Sequence, residues 1–188
     1  MSAVLAGRAA RRDDLAALLR CLPEADAGTA AWYLVGDSSQ LWEGWLDRVG
    51  SVHLAVEGAG AASAAAALRA AAPDVALLLE SPGDVIPLPR GAAGRHRPLT
   101  PAVPGFPGLR HFDPYSVAFR CLARGDDPDY RTVLRYLRRA WMTLEEMDAL
   151  LEDVLPRFTR ETIAQDPAEF RRKYRGLCQM WRSGGMTA

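Results

Sequence analysis

The apolar positions change their period along the chain, and that change divides it. In RDDLAALLRCL, residues 12–22, Leu15, Leu18, Leu19 and Leu22 fall on one helical face, which predicts an amphipathic helix. Asp13 and Asp14 stand in its first turn, where the helix dipole favours them. PEADAGTA reads as a turn, and AWYLVG, residues 31–36, as a short apolar strand. A helix follows over SQLWEGWLDRV, with Ser38 or Ser39 as its cap. SVHLAVE and DVALLLES read as two further strands. The Ala-rich helix GAGAASAAAALRAAAPD joins them and ends at Pro73 and Asp74.

Residues 82–110 lose periodicity and are dense in Pro and Gly. They predict a long loop, with short strand pieces around Val85–Leu88 and Leu109–Phe112. A loop of that length in a compact domain usually serves a site or wraps a surface. From Asp113 onward the pattern is helical throughout. Asp113 precedes Pro114 as a cap precedes a first helical residue, and Gly125 stands where a left-handed terminator belongs. DPDYRTVLRYLRRAW is the next helix. Thr143 and Glu146 then open TLEEMDALLEDVLPRF in capping-box spacing, and DPAEFRRKYRGLCQMW is the last helix. The expected class is α/β in the α+β sense: a mixed sheet flanked by helices over residues 1–112, with a helical region over 113–188 packed on it.

Composition narrows the function classes. The chain has 188 residues, 49% of them hydrophobic, and a formal net charge of zero. That supports a real core and supplies no global basic field for holding nucleic acid. Positive charge is almost entirely Arg, with Lys173 the sole lysine, which reads as codon habit rather than Arg chemistry. Cys21, Cys121 and Cys178 are too few and too scattered for a disulfide framework or a zinc site, and a reducing cytoplasm is the expected home. The longest apolar run is broken by Arg69, Pro73 and Asp74, short of the roughly 20 residues that span a bilayer. No membrane partner is expected. MSAVLAGRAARRDDL holds no apolar stretch of signal-peptide length.

Three patterns carry candidate chemistry. G-x-G-x-x-S, residues 58–63, follows a strand and opens a helix as a dinucleotide-binding turn does, with Glu80 about 20 residues on. Ser63 replaces the third glycine, Glu57 would oppose the phosphates, and no further βαβ unit follows; the glycines read as a plain strand-to-helix turn.

The second pattern is longer. It comprises Gly36, Ser38 and Ser39 after the first strand; ESPGDVIPLP with Arg95 a few residues on; and HFDPYSVAFRCLARGDDPDYRTVLRYL, with Asp113, Pro114, Tyr115, Leu122, Ala123, Arg124, Gly125 and Asp129. Over roughly residues 30–160 this resembles the AbiEii-like and antitoxin-like nucleotidyltransferases of bacteria. The resemblance implies a Gly-Ser turn that meets nucleotide phosphates, and a following strand bearing Asp-x-Asp that holds two Mg²⁺ ions. Here that pair falls on Ser51 and His53. The third acidic position falls near Leu78, with Glu80 two residues away on the same face. Cys121 stands where the family commonly shows Lys. One glutamate cannot cage two hard divalent ions. The expectation is a degenerate nucleotidyltransferase with no catalytic residues, no metal and no cofactor. It would act by binding a protein partner or a nucleotide phosphate, in an antitoxin-like role. Gly36, Ser38, Ser39, Arg95 and Arg124 are the candidate phosphate contacts. An active enzyme would have to draw on Glu57, Glu80 or Asp84.

The third pattern is Arg131, Arg135, Arg138 and Arg139, one stripe on a helix, next to a basic last helix carrying Arg171, Arg172, Lys173, Arg175 and Arg182. It reads as a solvated face paired with Glu145, Glu146, Asp148, Glu152 and Asp153, with a nucleic-acid or partner contact as the alternative. Ser51 and His53 share a strand face, yet no third group to orient the imidazole is evident. His96 and His111 are expected in loop or capping roles. Trp42 and Trp45, three apart, are expected to face a core.

Overall fold

Alternation along one strand organises the front of the molecule. In the computed structural model, which describes residues 8–20, 30–58, 66, 68–70, 73–81, 83, 85–103, 108–158 and 166–184, strand β2 (Val52–Gly58) is the centre of that alternation. β1 (Ala30–Leu34) runs antiparallel to it, and β3 (Leu77–Glu80) parallel to it. β4 (Arg97–Pro98) and β5 (Arg110–His111) complete a mixed sheet of order β3-β2-β1-β5-β4. The protein is α+β, as its period changes predict.

Val52, Leu54 and Val56 project from one face of β2, together with Leu34 and Trp32 of β1 and Leu77 and Leu79 of β3. That face is covered by α1 (Arg12–Arg20) through Leu15, Leu18 and Leu19, and by α2 (Asp37–Trp42) through Leu41 and Trp42. Leu68, in a helical stretch before Pro73, joins the same cluster. Burying each such side chain stabilises the fold by about 1.5–3 kcal/mol.

The chain groups into two compact units, residues 1–81 with 96–112 and residues 82–95 with 113–188. The segment 82–95, expected with the α/β part, therefore clusters with the helical one. In the second unit α3 (Pro114–Arg124) and α4 (Asp127–Arg138) form a hairpin across Gly125. α5 (Leu144–Val154) and α6 (Pro167–Gly184) follow. Phe119, Leu122, Val133, Tyr136, Met147, Leu151, Phe170 and Leu177 are buried in this unit, and the Phe119 and Phe170 rings lie 6.1 Å apart. Gly125 adopts φ 78°, which only glycine takes without strain, and its N–H donates to the Cys121 carbonyl at 2.8 Å.

Several local expectations are corrected. α2 starts at Asp37 after Gly36, whose φ of 57° turns the chain, so Ser38 and Ser39 lie inside the helix rather than capping it. Their hydroxyls serve the strands instead. Ser39 Oγ donates to the Leu34 carbonyl at 2.9 Å, and Ser38 Oγ accepts the His53 N–H at 2.7 Å. α2 ends at Trp42, well short of Val49, because Glu43 and Gly44 turn the chain. Val85–Leu88 makes no strand; order in that loop comes instead as a 3-10 turn over Ala92–Arg95 and as β4. Thr143 caps α5 by accepting from the Glu146 N–H at 3.2 Å. The Glu146 carboxylate does not return the capping bond; it accepts the Tyr115 hydroxyl at 2.6 Å.

Candidate functional site

On the side of the sheet opposite the core β2 places His53, Ala55 and Glu57, and Ser51 stands in the bend just before the strand. The parallel register sets His53 against Leu78 and Ala55 against Glu80, so Leu78 and Glu80 share that face. Tyr33 of β1 stands opposite Ala55 and also joins it.

Three of these side chains are linked. Ser51 Oγ and His53 Nε2 are 2.7 Å apart, and His53 Nδ1 makes a short contact with Glu80 Oε1. A carboxylate can only accept, so Nδ1 of the neutral ring carries the proton and Nε2 accepts the Ser51 hydroxyl. The backbone holds the imidazole in place. The His53 N–H donates to Ser38 Oγ, and the His53 carbonyl accepts the Val35 N–H at 3.1 Å. The His53 side chain is 27% exposed and that of Glu80 only 9%. Solvent thus reaches the ring while the carboxylate behind it stays sheltered. The expectation that nothing orients His53 is corrected: Glu80 does. The cross-strand register brings the pair together, and a sequence carries no register. The only advance signal was that Glu80 shares a parity with Leu78.

Farther along the same face the Tyr33 hydroxyl donates to Glu57 Oε2 at 3.1 Å. Burial, then the Glu57 charge, pushes the Tyr33 phenol up, while Arg110 acts in the opposite direction. His96 packs against Tyr33 and Phe112, with ring centroids 4.4 and 4.7 Å apart. His111 is neither a loop nor a capping residue. It is a fully buried member of β5 that donates from Nε2 to Glu43 Oε1 at 3.0 Å. Burial, aided by the Arg97 charge, pushes its imidazole down to about 3, and burial also raises the Glu43 carboxyl.

The proposed phosphate contacts fall in both units and each has internal partners. Ser38 and Ser39 are buried and bonded to strand backbone. Arg95 makes a two-pronged pair with Asp113, Nε to Oδ1 at 3.0 Å and Nη2 to Oδ2 at 2.9 Å. Asp113 also caps α3, accepting from the N–H groups of Tyr115 and Ser116 and from the Ser116 hydroxyl. Arg124 reaches Asp129, with Nη2 2.6 Å from Oδ1. Asp84 and residues 59–63 of the glycine turn lie outside the described residues.

Arg131 and Arg138 of α4 and Arg139 just after it are exposed, and Arg135 is half-buried. Of the acids of α5, Glu152 pairs with Arg171 of the basic last helix as expected, whereas Asp153 pairs with Arg90 and Arg157 and Asp148 accepts the Tyr174 hydroxyl. An open cleft of about 650 Å³ is lined by Gly125, Tyr130, Arg172, Lys173, Arg175 and Gln179. Lys173 is partly occupied there, donating to the carbonyl of Ala123 at 2.6 Å. Trp42 is a core residue, as its spacing suggests, whereas Trp45 is half-buried.

Among the described residues no group of three His, Cys, Asp or Glu is gathered so as to hold a metal ion, and no helix is long and apolar enough to cross a membrane. No family model matches the chain, and no curated protein or solved structure is significantly similar to it.

Proposed function

We propose that the chain is a nucleotidyltransferase-like domain without metal-assisted transfer, acting through what it binds, a protein partner or a phosphate-bearing nucleotide, in an antitoxin-like manner. One observation carries this reading. The positions at which the family resemblance sets its carboxylates hold Ser51, His53 and Leu78, and the nearby Glu80 is already bonded to the imidazole. A hydroxyl and a neutral ring bring no negative charge to Mg²⁺. The remaining described carboxylate on that side of the sheet, Glu57, accepts the Tyr33 hydroxyl. The antiparallel β1–β2 pair joined through the Gly36 turn and α2 also accords with the resemblance.

The test is incubation with labelled ATP and GTP in Mg²⁺, alone and with native extract. The expected result is no label transferred to the chain or to any extract protein. Mg²⁺-dependent labelling that disappears in Glu57→Gln or Glu80→Gln would establish a live transferase and end this reading. The basic cleft on α6 favours a second reading, contact with a polyanion. It predicts binding that weakens steeply with salt, and a shallower slope after Arg172→Ala and Arg175→Ala.

A further inference from the structure

We propose that Ser51, His53 and Glu80 form a serine-nucleophile relay that acts on uncharged carboxylic esters. This goes beyond the binding reading, since it assigns new chemistry to the face from which metal chemistry is missing.

The geometry is that of a nucleophile, its base and the base's orienting carboxylate. Ser51 Oγ lies 2.7 Å from His53 Nε2, and the opposite ring nitrogen faces Glu80 Oε1. Ser51 lies in the bend immediately before β2 and His53 is the second residue of that strand, and the two side chains meet on the same side of the sheet. Ser38 Oγ and the Val35 N–H hold the backbone of His53 from the neighbouring turn. His53 and Ser51 remain partly open to solvent while Glu80 is sheltered, the order that a base and its orienter require. Ser51 and His53 are the catalytic residues; Glu80 is a positioning residue that works through His53.

Charge and apolar surface select the substrate class. Glu57 and Glu80 put two carboxylates on this face, which opposes an anionic electrophile such as a phosphate ester. Leu78, directly across from His53 in the parallel register, is 46% exposed and offers an acyl chain apolar surface. In the reaction Ser51 Oγ bonds to the ester carbonyl carbon and its proton passes to His53 Nε2. The ester C–O bond then breaks, and the alcohol departs with that proton. Water cleaves the acyl-serine in turn, losing its proton to His53 and returning Ser51 as the acid is released.

The experiment uses the full chain and an alkyl fluorophosphonate, with modified peptides mapped by mass spectrometry. Ser51 Oγ displaces fluoride from phosphorus, leaving a stable phosphonyl-serine. The expected result is folded wild type labelled at Ser51 and heat-unfolded protein unlabelled there. His53→Gln should slow labelling by about 100-fold or more, the usual worth of a general base. Glu80→Gln should slow it by about tenfold or more, with Glu80→Asp recovering most of the rate, which a merely structural hydrogen bond would not do. Absence of Ser51 labelling in the folded wild type overturns the proposal, as does an unchanged rate in His53→Gln. Mapping on the wild type keeps the test decisive even where a variant fails to fold. Nucleotide incorporation bears on the transferase reading alone, so the two failures are distinguishable.

Discussion

Asp113 offers the sharpest test of how the helical unit is held. Its side chain is fully buried and that of Arg95 is 20% exposed. Asp113→Ala removes the cap of α3, worth about 1 kcal/mol. It also leaves Arg95 without its carboxylate. Breaking a wholly buried pair costs about 3–5 kcal/mol. Here the lower figure of about 2 kcal/mol applies, because partial exposure lets water reach the guanidinium. Arg95 also keeps its bond to the Arg90 carbonyl at 2.8 Å and its place over the Tyr115 ring. The sum is about 3 kcal/mol. Asp113→Asn, which keeps an oxygen for the helix N–H groups but loses the charge, should cost about 2 kcal/mol. Arg95→Gln strands a buried carboxylate and should cost a similar amount. The double change should cost less than the two single changes together by at least about 1 kcal/mol, since the groups share one interaction. Urea denaturation followed by far-UV circular dichroism measures each midpoint, with the slope expected to stay constant. A cost below about 1 kcal/mol for Asp113→Ala, or simple additivity in the cycle, would refute the reasoning.

Two further outcomes follow from buried or crowded positions. His111 is neutral in the fold, with its imidazole at about 3. In the unfolded chain it takes up a proton near pH 6.5, so this contribution is intact above that pH. It is lost at about 1.4 kcal/mol per pH unit below, or roughly 2 kcal/mol by pH 5. Glu43, raised by burial, is protonated first in the folded chain and blunts the loss at the acid end. His111→Gln should flatten melting temperature against pH between 7 and 5, and an unchanged slope would exclude His111 as the cause. Gly125→Ala forces a side chain into φ 78° and sets its Cβ 2.9 Å from Lys173 Cε. A loss of about 2 kcal/mol is expected by thermal melting, part of it recovered when Lys173→Ala removes the crowding.

Much of the local order was readable because its causes are local. Asp113 before Pro114, Gly125 at a helix end and Thr143 before Leu144 act within one turn, and each occupies the place its spacing implies. The strands AWYLVG and SVHLAVE were legible from apolar runs flanked by turn residues. α2 departs from its expected start because Ser38 and Ser39 suit a cap in isolation, and only the neighbouring strands supply the Leu34 carbonyl and His53 N–H that draw their hydroxyls inward. His111 departs from expectation for the same kind of reason. A histidine three residues before the first residue of a helix looks like a loop or capping residue until β1 pairs with β5 and buries it beside Glu43.

Residue pattern alone established a mixed α/β first part, a helical second part and a Ser-x-His without carboxylates at residues 51 and 53, because period, capping and residue type are written in consecutive residues. The partner of His53 came only from the fold. Glu80 lies 27 positions away, and the parallel β2–β3 register is what brings its carboxylate to the ring. Register is chosen by the apolar residues on the far side of the sheet, Val52 and Leu54 against Leu77 and Leu79, as they seek the core together. The polar chain on the near side is aligned by packing in which it takes no part.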